Sequence, residues 1–173
     1  MDVLHPDRRL FLTALMAALG VPTASLTKER IIDLDWSDLV PAGASNTART
    51  LQGMGVIPHD EMTALRAEQP QSSSVRTDYN GKIVRIPGYV VPLETSGSGI
   101  TAFILVPYIG ACIHVPPPPA NQLVFVTTSD PYDGSGMFEA VNVTGMFGTA
   151  ATSTHLADIG YALSADLIEP FER

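Results

Sequence analysis

A single cysteine in 173 residues, Cys112, excludes an internal disulfide, so packing and hydrogen bonds must hold whatever fold forms. Cations are scarce as well: 10 lysines and arginines face 18 acids, for a net charge of −8 and a pI near 4.7. A chain so short of positive charge cannot neutralise a phosphate backbone, which excludes a nucleic-acid binder. No apolar run reaches the roughly 20 residues that a membrane-spanning helix needs. Gly-rich phosphate loops, Gly-x-Ser-x-Gly elbows and His-Glu-x-x-His helices are missing, and with them the enzyme classes they mark. Repeats are absent, and low complexity is confined to Pro116–Pro119. What is present suits a globular chain. Hydrophobic residues make up 45% and charged residues 16%, enough to bury the core of one domain with extensions.

The apolar run nearest a leader lies at the start. Arg8-Arg9 precedes Leu10 to Val21, and Pro22-Thr23-Ala24-Ser25 follows. This order predicts an export signal of twin-arginine type over residues 1–24, and hence a bacterial protein that is periplasmic or otherwise exported. The alternative is an amphipathic first helix packed on the domain. The absence of a polar face from Phe11 to Leu19 favours the signal. Residues 25–74 read as an arm, a short helix and a linker. In the arm, Ile32, Leu34, Trp36 and Leu39 are expected to dock on the main body. The helix starts at Pro58-His59-Asp60-Glu61, acids in its first turn, and runs to about Gln69.

From 75 to 173 the pattern is one of strands. Lys82 to Leu93 is rich in Ile and Val, with a bend expected at Pro87-Gly88. A turn at Thr95 to Gly99 leads into Ile100 to Val106; further strands are expected over Gln122 to Thr128, Met137 to Phe147 and Gly160 to Ile168. Asp130 to Gly136 reads as a turn, since the glutamate that would close a calcium loop is missing. Five short strands with Gly and Pro between them predict a mainly β fold, a small OB-like five-stranded barrel.

Chemistry concentrates at Gly110-Ala111-Cys112-Ile113-His114-Val115, just ahead of the four prolines. On an extended chain Cys112 and His114 fall on one face. As metal ligands, a thiolate and an imidazole suit zinc, with His155 and Glu94 as the weaker candidates to complete the set. As nucleophile and base, Cys112 would be activated by His114 or His155, although side chains two apart on a strand do not converge. As plain structure, Cys112 is a small buried hydrophobe and His114 a rim residue. Pro116, Pro117, Pro118 and Pro119 form a stiff polyproline II segment. With Tyr108 they make a binding surface for a partner, or a cover over a sheet edge.

Two stretches carry a family resemblance: Gly88-Tyr89-Val90-Val91-Pro92-Leu93-Glu94, and the longer Phe103 to Gln122 with Cys112-Ile113-His114 inside it. From about Tyr79 to Glu169 the chain resembles the bacterial domain-of-unknown-function family 3299 (DUF3299), a set of exported proteins and lipoproteins. The resemblance implies an OB-like fold and a non-enzymatic role in the cell envelope. Some members are encoded beside zinc-responsive genes and MacB-type ABC transporters, which implies zinc homeostasis and an ABC transporter or other envelope protein as partner. The family's Cys-x-His segment maps onto Cys112 and His114. The chain departs from the lipoprotein members in having no cysteine near the end of its leader. A thiol-dependent enzyme and a structural adaptor remain the alternatives.

Overall fold

The computed structural model describes residues 30–42, 69, 74–97, 99–111, 117–134 and 136–171. The expected leader over 1–24 and all of the expected helix but Gln69 lie outside these residues. The described elements are β1 (Ile32–Asp33), β2 (Lys82–Ser96), β3 (Gly99–Val106), β4 (Val124–Tyr132), β5 (Ala140–Ser153) and β6 (Asp158–Pro170). Two short 3-10 turns, Trp36–Leu39 and Ala120–Gln122, are the helical content among the described residues.

The long strands close into a five-stranded barrel in the order β2-β3-β4-β6-β5, with β5 returning to β2. The β4–β6 pair is parallel and the other barrel pairs are antiparallel. This is the mainly β barrel expected from the sequence, with β1 as an extra strand. Closure depends on β2. Its first half, Lys82 to Tyr89, pairs with β5, and its second half, Tyr89 to Ser96, pairs with β3. The change of partner follows Pro87-Gly88. A Cβ on Gly88 would lie 2.7 Å from Leu105 Cγ, so the bend needs a residue without a side chain.

Boundaries differ from expectation, most at β5, which runs Ala140–Ser153 rather than Met137 to Phe147, and at the end of β4. The β4 strand runs through Asp130 and Pro131 to Tyr132 rather than stopping at a turn. Its pairing with β6 ends at Thr128↔Ala165, so the last residues have one edge outside the ladder, where proline is tolerated.

Alternate residues fill the barrel: Val84, Ile86 and Val90 from β2, Phe103 and Leu105 from β3, Val124 and Val126 from β4, Val141, Val143 and Phe147 from β5, and Tyr161 and Leu163 from β6. The Phe147 and Tyr161 rings meet at 5.1 Å. The arm completes this core. Leu34 and Leu39 are buried in it, and Ile32 and Trp36 pack against it. β1 lies parallel to β2 on the edge that β3 leaves uncovered, and the Leu34 N–H donates to the Arg85 carbonyl. The Trp36 indole N–H donates to the Pro87 carbonyl at 2.7 Å. The Tyr161 hydroxyl donates to the Leu39 carbonyl at 2.7 Å and accepts the Arg76 N–H at 2.7 Å. The Arg76 guanidinium reaches the Asp38 carbonyl, pairs with Asp78, and lies over the Tyr79 ring. Among the described residues no buried side-chain polar atom lacks a partner.

Candidate functional site

In sequence, Cys112 and His114 fall in the connection between β3 and β4. β3 is buried along both faces. Phe103 and Leu105 point into the core, while Ile104 and Val106 join a second apolar cluster with Val91, Ala111, Leu123, Ala157 and Ile159. Tyr89, Leu93, Tyr108, Phe125, Phe138 and Leu156 are partly buried against it. The continuous apolar run Ala102 to Val106 was the sequence signal for this two-sided burial.

From Val106 the chain turns through Pro107 to Ala111. Tyr108 packs on the second cluster, Ile109 points outward at 64% exposure, and Ala111 is fully buried. Cys112, His114 and Pro116 lie outside the described residues. The chain is described again at Pro117, which is half-buried, and Pro118 and Pro119 are buried. The last two prolines therefore fix the course of the chain into the Ala120–Gln122 turn more than they offer contact area.

Three amides that sequence reasoning passed over hold this connection in place. The Gln69 Nε2 donates to the Pro118 and Asp158 carbonyls, each at 2.8 Å, and its Oε1 accepts the Asp158 N–H at 2.8 Å. One side chain thus ties the end of the proline run to the start of β6. Asn121 Nδ2 donates to the Ser74 carbonyl, and Gln122 Nε2 donates to the Trp36 and Asn121 carbonyls. Asn121 and Gln122 are both buried, an unusual place for amides unless they are satisfied. Their only sequence signal is position, between a proline run and an apolar strand.

The other candidate ligands are placed differently. His155 is exposed in the β5–β6 turn, whose next residues, Leu156 and Ala157, pack in the same cluster as Ala111. That turn and the start of the Cys112 segment therefore meet on one patch. Glu94 is exposed opposite Ala102, at the end of the β2–β3 hairpin away from Val106. At about 3.4 Å per residue, Ala102 to Val106 spans about 14 Å. The structure does not bring Glu94 to the Cys112 end. Among the described residues no group of three or more His, Cys, Asp or Glu could hold a metal ion.

Two further features border the barrel wall. A groove of about 580 Å³ lies where the β5–β6 ladder slips between Thr149 and Thr152, lined by Val75, Ala120, Ala150, Thr152, Asp158 and Ile159 among others. At the end of β4, burial and a hydrogen bond to the Glu139 carboxylate push the Tyr132 hydroxyl up to about 12. Burial also raises the pKa of Tyr161. No helix among the described residues is long and apolar enough to cross a membrane.

The family model for the protein of unknown function DUF3299 matches residues 36–170. The crystal structure of a DUF3299 family protein from Pseudomonas aeruginosa PAO1 is similar to this chain, with 36% sequence identity and a TM-score of 0.66. The match covers 84% of this chain and 97% of that one. No curated protein matches. The 36–170 match includes Trp36 and Leu39 of the arm with the whole barrel, and the chain belongs to the DUF3299 family.

Proposed function

We propose that this is a non-enzymatic, exported protein of the bacterial cell envelope that binds a transition metal, zinc foremost, through Cys112 and His114. The observation that carries the reading is the anchoring of the β3–β4 connection on both sides of the pair. Ala111 is sealed into the second cluster on one side; Pro118 and Pro119 are buried on the other, with Gln69 clamping the Pro118 carbonyl. A thiolate and an imidazole suit zinc, and ends held in place at Ala111 and Pro118 lower the ordering cost of a ligand taken between them. His155, exposed in the β5–β6 turn next to Leu156 and Ala157 of the same cluster, is a third candidate donor.

Zinc titration of the full chain, with Cys112→Ser and His114→Ala alongside, tests the metal reading. Loss of one tight zinc equivalent in both variants is expected. Equal uptake by all three proteins overturns it. A second reading, an adaptor for an envelope partner such as an ABC transporter, is favoured by Ile109, the most exposed large apolar side chain described, beside Tyr108. Under that reading Ile109→Asp abolishes partner capture and leaves zinc uptake unchanged.

A further inference from the structure

The turn that delivers the chain into β2 sets an asparagine before a glycine, Asn80-Gly81, at the seam where β5 returns to β2. Among Asn46, Asn80, Asn121 and Asn142, only Asn80 precedes a glycine. Such a pair carries its own chemistry: the glycine amide nitrogen attacks the asparagine side-chain carbonyl carbon, and no β-carbon at the next position obstructs it. Both residues are exposed here, and the space around them is open. Gly81 has φ +70°, and a Cβ built on it would meet nothing within 4 Å among the described residues. The two reacting groups are nonetheless engaged elsewhere. The Gly81 N–H donates to the Phe147 carbonyl at 2.9 Å. The Asn80 Nδ2 donates to Thr149 Oγ1 at 3.1 Å, and its Oδ1 accepts the Thr149 N–H at 2.8 Å. The Asn80 side chain thus stands in for one more step of the ladder beyond Lys82↔Phe147.

We infer that Asn80-Gly81 is a self-modification site, with water as its co-reactant, that Thr149 holds latent. A bond forms between the Gly81 nitrogen and Asn80 Cγ while the Cγ–Nδ2 bond breaks, and the proton of the attacking nitrogen leaves with Nδ2 as ammonia. The cyclic imide then adds water and opens at either carbonyl, to aspartate or to isoaspartate. The Gly81 N–H must first leave Phe147 and the Asn80 amide must leave Thr149, so three hydrogen bonds open before the bond forms. At about 2- to 10-fold each, they hold conversion about 100-fold below that of an unfolded chain. The two products differ in what they do to the fold. Aspartate keeps an oxygen for the Thr149 N–H, and the Thr149 hydroxyl turns from acceptor to donor toward the new carboxylate. Isoaspartate lengthens the backbone between positions 80 and 81, which pulls the Gly81 N–H out of register with Phe147 and loosens the β2–β5 pairing that closes the barrel.

Incubation of the full chain in warm, mildly alkaline buffer, with peptide mapping that separates amide, acid and isoacid at position 80, reads the conversion. Slow conversion of the folded chain is expected, and conversion about 100-fold faster in concentrated urea. Thr149→Val removes the hydroxyl and keeps the shape, and speeds the folded chain about 2- to 10-fold, while Thr149→Ser stays near wild type. Val126→Ala, which weakens the core from β4 without touching the turn, also stays near wild type. Asn80→Asp melts with the wild type, and chains carrying isoaspartate melt lower. Folded chain converting as fast as chain in urea overturns the inference. So does a Thr149→Val rate equal to wild type, or a Val126→Ala rate raised as much as that of Thr149→Val, which would tie conversion to global unfolding. An Asn80 that stays unconverted even in urea removes the site itself.

Discussion

Leu39→Ala is the sharpest probe of whether the arm and the barrel are one cooperative unit. Leu39 is fully buried among core residues supplied by the barrel strands, and its carbonyl accepts the hydroxyl of Tyr161. Removing a fully buried leucine side chain costs about 2–5 kcal/mol, the lost transfer energy plus the cavity left behind. Against a total stability of about 5–15 kcal/mol that is a large fraction. With a urea slope of about 1–3 kcal/mol per molar, the midpoint should fall by about 1–2 M. Trp36 is the only tryptophan, so its fluorescence reports on the arm, while far-UV circular dichroism reports on the strands. The expected result is one transition, seen alike by both signals and displaced together by the substitution. Ser37→Ala, at an exposed arm residue, should move it by less than about 0.5 kcal/mol. A fluorescence midpoint that falls while the circular dichroism midpoint stays put would show that the arm is an appendage, and would refute the shared core.

Deleting residues 30–42 should be worse than any point change. It uncovers core packed by Leu34 and Leu39 and strips partners from Tyr161, Gln122, Arg76 and the Pro87 carbonyl, so soluble folded protein is not expected by circular dichroism. Gly145→Ala should destabilise by several times the usual surface cost, about 3 kcal/mol or more by thermal melt, because a Cβ there would collide with the Ser164 carbonyl across the β5–β6 ladder. The Tyr132 hydroxyl, raised to about 12, gives stability that is complete below the unfolded value near 10 and is lost as pH rises through about 12. Because Tyr132 is only partly buried, solvent screening should hold the loss to about 1 kcal/mol or less. Absorbance titration at the tyrosinate band should show Tyr132 ionising at lower pH in Glu139→Gln, and an unchanged curve would remove the carboxylate as a cause. Iodoacetamide labelling of Cys112 should become slower when zinc is added, whereas labelling that is fast well below a thiol's usual pKa of about 8.5, with or without zinc, would point to a nucleophile instead.

The strands were legible because their signals are local. Lys82 to Leu93, Ile100 to Val106 and the later runs alternate or cluster Ile and Val between Gly and Pro punctuation, and each became a strand, although β5 runs six residues past its expected end to Ser153. The bend at Pro87-Gly88 was legible for the same reason. β1 was not: two residues have no period, and Ile32–Asp33 is a strand only because β2 presents an edge some fifty residues away. The parallel β4–β6 pair likewise follows from closure, with nothing in either segment to announce it. For the proposed site, residue type alone pointed to Cys112 and His114, which lie outside the described residues. The clamps at Gln69, Asn121 and Gln122 stayed hidden, since an amide's role here is set by partners 47 to 89 residues distant.

The packing also limits where a ligand can bind. A five-stranded barrel is small enough for side chains to fill, and here Phe103, Phe147 and Tyr161 occupy its interior while the arm adds Leu34 and Leu39. Binding must therefore use the outer wall, and the wall is not uniform. On the β2-β3-β4 side the outward residues are buried under Tyr108, Phe138 and Leu156, beside the connection that carries Cys112 and His114. On the β1-β2-β5-β6 side the outward residues Ile31, Met146 and Leu167 stay exposed. The two faces share β2, whose outward residues Ile83 and Arg85 lie on one and Tyr89 and Val91 on the other, with the bend between them. A contact on the first half of β2 can then bias the second half only by shifting that bend, where Gly88 sits against Leu105 with no room for a Cβ. If Met146→Glu, on the face of Ile83 and Arg85, leaves zinc uptake unchanged, the bend does not transmit between the faces. If it alters uptake, Pro87-Gly88 is the place where a further substitution should uncouple them.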